Sequence, residues 1–142
     1  MKHKNLTLTL TAAVLTLVTA AAYGQNNPLT ATIPFGFRAV NSNLPAGRYT
    51  VARASGTLGE SGIMQLRNLE TGKAVFLPSR VPLTDSKDNR PRLVFRCGDE
   101  SGCALATLWS GKGTGMEFAT PALPAAEKER SEVAYLYGSK GK

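Results

Sequence analysis

Two cysteines, one run of glycines and three closely spaced arginines are the residues whose chemistry has to be weighed first. Cys97 and Cys103 are the only cysteines, and Gly-Asp-Glu-Ser-Gly separates them. In an oxidising compartment, two cysteines at the base of a tight hairpin form a disulfide. A redox pair would use C-x-x-C at a helix N-terminus, which lowers a thiol pKa. A zinc site would need four ligands, and two thiols do not supply them. The spacing therefore predicts a Cys97–Cys103 staple.

Other constellations fall short of the chemistry they suggest. Gly111-Lys-Gly-Thr-Gly115 lacks both the phosphate-loop spacing and the dinucleotide-loop spacing, so it reads as a flexible loop. Asp85, Asp88 and Asn89 begin like a calcium loop, but Arg90 stands at the required glycine and Arg96 at the closing glutamate. Asp99 and Glu100 are neighbours on one hairpin tip, whereas a glycosidase pair faces across a cleft. No G-x-S-x-G elbow is present. These residues assign no catalytic group, no metal and no cofactor, and the reading is non-enzymatic.

The one histidine, His3, lies in a segment that reads as an address. Lys2 and Lys4 precede an uncharged run, Leu6–Val18, and small residues follow through Gly24. That is the three-part pattern of a secretory signal peptide, cut near Ala22 or Gly24. The apolar run is shorter than the roughly 20 residues that span a bilayer. Residues 1–24 are then the signal peptide, and residues 25–142 one exported domain, periplasmic or extracellular. Loss of Lys2 and Lys4 lowers the net charge from +7 to +5. The exported part holds no histidine, hence no usual base for Ser or Cys. It also contains no apolar run long enough for a transmembrane helix.

The elements that must position these residues are short and alternating, which argues for β structure. Leu29–Val40 places Ile33, Phe35 and Phe37 at spacing two around Pro34. Asn41–Gly47 reads as a turn into a strand, Arg48–Arg53, with Tyr49 and Val51 inward. Ala54–Gly62 is a loop; Ile63–Leu69 and Lys73–Leu77 pair around Glu70-Thr71-Gly72. Arg92–Cys97 and Cys103–Trp109 form the clearest hairpin. Counting from Cys97 opposite Cys103, Phe95 faces Leu105 and Leu93 faces Thr107, while Arg96, Val94 and Arg92 face Ala104, Ala106 and Leu108 on the wetter side. Leu123–Arg130 predicts a short helix beginning at a proline. Val133–Tyr137 predicts a last strand. The expected fold is an antiparallel β-sandwich or small barrel of six to eight strands, with one short helix near the C-terminus.

Three phrases occur together: Ile33-Pro-Phe-Gly-Phe37, Leu44-Pro-Ala-Gly-Arg-Tyr-Thr-Val51 and Arg92-Leu-Val-Phe95. With the leader ahead and the charged helix behind, the chain resembles a family of small secreted soil-bacterial proteins of uncharacterised function. The resemblance spans nearly the whole exported part and implies a β-rich exported domain with no assigned activity. That family carries His and Tyr where this chain has Arg96 and Cys97, so the cysteine pair is a local addition.

Two function classes follow. The first is a non-enzymatic envelope or extracellular module that meets an envelope protein, anionic lipid or acidic polysaccharide through Arg90, Arg92 and Arg96. The remaining basic residues, Arg38, Arg48, Arg53, Lys140 and Lys142, are scattered. Nucleic acid is not expected, because Phe35, Phe37, Tyr49, Phe95 and Trp109 all fall on core faces rather than on an exposed stacking surface. The alternative is a small barrel whose Phe35, Phe37, Tyr49 and Phe95 line a site for an apolar or lipid-like ligand.

Overall fold

The computed structural model describes residues 28–54, 62–84, 87–111 and 113–138. The segment read as a signal peptide, most of the 54–62 loop, Asp85, Lys112, Lys140 and Lys142 lie outside the described residues. Within them the chain is all β, with twelve short strands. One sheet has the order β12-β1-β4-β5-β6, formed by Tyr137–Gly138, Leu29–Ile33, Gly47–Arg53, Met64–Asn68 and Ala74–Leu77. The second has the order β11-β8-β9-β10-β7, formed by Arg130–Tyr135, Arg92–Gly98, Gly102–Trp109, Thr114–Glu117 and Val81–Thr84. β2 (Phe37–Ala39) joins the second sheet by a parallel contact with β9, and β3 (Ser42–Leu44) pairs with β2.

Pro34, Phe35 and Gly36 interrupt the first alternating run and carry the chain from one sheet to the other, because proline cannot donate to a ladder. The core sits between the sheets. Ile33, Tyr49 and Leu66 come from one, and Phe37, Leu93, Phe95 and Leu105 from the other. The buried phenol of Tyr49 donates to the Pro45 carbonyl at 2.6 Å, which satisfies its one polar atom inside the core. That bond explains the Leu-Pro-Ala-Gly-Arg-Tyr phrase: the turn offers the carbonyl and the strand returns the hydroxyl.

Several expectations are corrected. The sheets do not close into a barrel: after β6, Pro78 ends the strand and β7 pairs with β10 in the opposite sheet. No helix forms over Leu123–Arg130. A helix so short pays its nucleation cost for few hydrogen bonds, and here one turn closes, Glu127 N–H to the Pro124 carbonyl at 3.0 Å. The carboxylates of that segment are engaged elsewhere, Glu127 on Ser101 and Glu129 on Arg96. The twelve strands exceed six to eight because β2, β3, β7 and β12 are two to four residues long and are set by pairing rather than by pattern. Asn41–Gly47 is more than a turn, since it contains β3. Val40 stands at φ 53° at the start of that reversal, an uncommon position for a β-branched residue.

The central hairpin keeps the expected partners only at its closed end. Cys97 faces Cys103, Arg96 faces Ala104 and Phe95 faces Leu105. The register then slips by one residue at Ala106, so Val94 faces Thr107, Leu93 faces Leu108 and Arg92 faces Trp109. A β-bulge of this kind puts two residues of one strand opposite one of the other. It lets Leu105 and Leu108, three apart, both point into the core.

Cys97 and Cys103 are joined in a disulfide across this ladder, with Cys97 fully buried. The intact mass of the native protein should lie about 2 Da below the reduced value, with no titratable thiol. Cys97→Ser/Cys103→Ser should lower unfolding stability by roughly 2 kcal/mol, as expected for so short a loop. Two titratable thiols in native protein would contradict the staple.

Candidate functional site

Arg92 and Arg96 alternate with Leu93, Phe95 and Cys97 along β8, so they stand on the outer face of the second sheet. The three arginines proposed from sequence separate into two clusters. Arg90 and Arg92 converge on Asp88. The Arg90 guanidinium donates to both Asp88 carboxylate oxygens at 3.0 Å, and its backbone N–H also donates at 3.0 Å. Arg92 Nη1 donates to the Asp88 carbonyl at 2.9 Å and lies 3.9 Å from its carboxylate. Arg96 sits four residues further along the strand, roughly 13 Å at 3.3 Å per residue. It pairs with Glu129 at 2.9 and 3.3 Å.

The first cluster is backed by aromatic rings. Arg90 lies 4.2 Å from the centroid of the Tyr135 ring, and Arg92 5.3 Å from that of Trp109, both within cation–π range. Arg90 also donates to the Tyr135 hydroxyl at 2.9 Å. The Arg92 side chain is only 13% exposed, whereas that of Arg90 is 66% exposed. Beside them lies a groove of about 280 Å³ lined by Arg90, Pro91, Tyr135, Leu136 and Tyr137. Tyr137 is 69% exposed.

These rings were not legible as a site. Trp109 falls on a core face only if the hairpin register has no slip. With the slip it stands opposite Arg92 on the outer face. The Val133, Tyr135, Tyr137 alternation marks a strand, but Ala134 and Leu136 are its buried face. The signal available was the apolar pair Ala134 and Leu136, which flank Tyr135 at spacing two.

The glycine loop supports this face. A Cβ on Gly115 would lie 2.8 Å from Trp109 Cε3 and 2.9 Å from the Leu108 carbonyl, so glycine there leaves room for the indole. Gly111, at φ +92°, leaves no room for a Cβ against the Asn89 carbonyl and Pro91. Gly111 and Gly115 are used for close packing around Arg90–Arg92, whereas Gly113 faces open space.

Of the four aromatic residues of the ligand-barrel alternative, Phe37, Tyr49 and Phe95 are buried in the core and the partly buried Phe35 packs against it. Phe35 and Phe95 meet edge-on at 5.1 Å, Phe37 and Phe95 at 5.2 Å, and Phe37 and Tyr49 at 5.3 Å. An apolar hollow of about 220 Å³ lies elsewhere, at the side of the sandwich among Leu29, Val51, Met64, Leu108 and Met116. Among the described residues, no three His, Cys, Asp or Glu side chains gather to hold a metal ion, and no helix is long and apolar enough to cross a membrane.

Asp88 titrates at about 2, below the usual carboxylate range, first through the Arg90 guanidinium bond and then through the Arg90 backbone N–H. Because the folded-state value is depressed, this contact stabilises the fold above the ordinary carboxylate range and is lost as pH falls through about 2. A carboxyl NMR titration should give an Asp88 midpoint near 2, and Arg90→Ala should raise it; an unmoved midpoint would contradict the contact. Gly115→Ala should change Trp109 fluorescence and cost about 1–3 kcal/mol of stability through overpacking, and unchanged emission would count against the tight indole seat. No protein-family model, curated protein or solved structure matches the chain.

Proposed function

We propose that the chain is an exported, non-enzymatic β-module that binds an anionic surface through Arg90 and Arg92. The observation that carries this reading is the ring-backed pair itself. Tyr135 and Trp109 hold two guanidinium groups at one end of an outer sheet face, beside a groove with an exposed tyrosine. Stacking fixes the guanidinium planes in advance, so little side-chain entropy is lost when an anionic group is met. Tyr, Trp and Arg are also the residues that most often dominate interface energetics. The leader-like segment before Gly24 and the resemblance to small secreted proteins support export. The absence of histidine beyond His3 supports a non-enzymatic role. Arg96, paired with Glu129 as Arg90 is with Asp88, belongs to this surface only weakly because it stands roughly 13 Å further along the strand, away from Tyr135 and Trp109.

Cosedimentation of the exported protein with phosphatidylglycerol vesicles and with an acidic polysaccharide tests the reading. Binding should exceed that to phosphatidylcholine vesicles and should fall steeply as the screening length drops from about 10 Å at 0.1 M salt to about 3 Å at 1 M. Arg90→Ala/Arg92→Ala should abolish it, and Arg96→Ala should weaken it less. Equal binding to neutral vesicles, or binding indifferent to salt, would overturn it.

A further inference from the structure

A second arginine site lies at the other end of the same sheet. Arg38 on β2 and Arg96 on β8 both stand opposite Ala104 of β9, one on each side. Two strand spacings place their backbones about 10 Å apart, with the small Ala104 side between them. Above this floor passes the Pro121–Pro124 segment. It is held down by Glu127 on Ser101 and, further along, by Glu129 on Arg96. Together they enclose a cleft of about 250 Å³ lined by Arg38, Arg96, Cys103, Ala104, Leu123 and Pro124. A neighbouring hollow of about 230 Å³ shares Arg38, Gly102 and Cys103 with it.

The two arginines differ in what they have left to offer. Arg96 gives Nε and Nη2 to Glu129 and Nη1 to Thr120. The half-buried Arg38 makes no side-chain hydrogen bond or ion pair with any described residue. The cleft thus presents one uncommitted guanidinium, whose parallel N–H edge matches a carboxylate. Pro121 and Pro124 have no backbone N–H, so that wall keeps only those of Ala122 and Leu123, fewer than the several donors a phosphate needs, beside its apolar surface. The cavity is also smaller than the roughly 300–1,000 Å³ of ordinary ligand pockets.

We infer that this cleft binds a small monoanionic carboxylate, with the carboxylate on Arg38 and a short apolar body against Leu123 and Pro124. The site is distinct from the Arg90–Arg92 surface, and vesicle binding can fail while this one holds.

A ¹H–¹⁵N NMR titration of the exported protein with hexanoate tests it, with hexanamide and inorganic phosphate as controls. Hexanoate should give saturable shifts at Arg38, Gly102, Cys103, Ala104 and Leu123, and both controls should bind more weakly. Arg38→Gln should weaken hexanoate roughly ten-fold or more, the loss expected for a charged hydrogen bond. Ala104→Leu fills the floor while leaving both arginines, and should block binding by itself if Arg38→Gln disturbs the fold. Hexanamide binding as tightly as hexanoate, phosphate producing the same shifts at equal or lower concentration, unchanged affinity in both variants, or no saturable shift with hexanoate would each overturn the assignment.

Discussion

The β8–β9 ladder, and the single slip within it, sets the conditions for the rest of the structure. β11 pairs along the other edge of β8, and the far edge of β9 is divided between β2 near Cys103 and β10 near Trp109. The slip falls at Ala106, between those two halves, and there the Ala106 carbonyl accepts the Phe118 N–H at 2.8 Å. One strand thus serves two neighbours on one edge because it changes phase between them. A one-residue shift exchanges the faces of every residue beyond it. Here that exchange decides which residues make the core and which make the surface.

The inside of the ladder beyond the slip is Leu93 against Leu108, joined to Phe95 and Leu105 before it. The outside is Arg92 against Trp109. An unbroken register would bring Arg92 opposite Leu108 and turn Trp109 inward, removing the ring that backs the guanidinium. Core packing and the arginine surface are therefore two consequences of one irregularity. The disulfide secures the closed end of the same ladder, where the Arg38–Arg96 cleft opens beside Cys103. The glycines at 111 and 115 give way to Pro91 and Trp109 at the opposite end.

Much of the fold was legible because it rests on alternation. Ile33 and Phe37, Tyr49 and Val51, and Leu93 and Phe95 keep period two and lie in the core. The cysteine spacing gave the hairpin's closed end and its staple. Other features depended on contacts that no local pattern encodes. Leu123–Arg130 has helix-forming residues, yet Glu127 and Glu129 bind a distant hairpin. β3 and β7 are too short to show a period. The bulge did leave one trace, the spacing of three between Leu105 and Leu108, which no unbroken strand can place on one face. Reading that trace would have turned Trp109 outward and exposed the ring-backed site. Arg38 was legible as a basic residue, but its place beside Ala104 follows from a parallel contact between segments over sixty residues apart.

Cross-strand proton NOEs along this hairpin test the account at its root. The slipped register predicts backbone contacts between Leu93 and Leu108 and between Arg92 and Trp109, with Phe95 and Leu105 still opposed. Contacts between Leu93 and Thr107 and between Arg92 and Leu108 would mean an unbroken ladder, and would contradict both the core and the arginine surface described above.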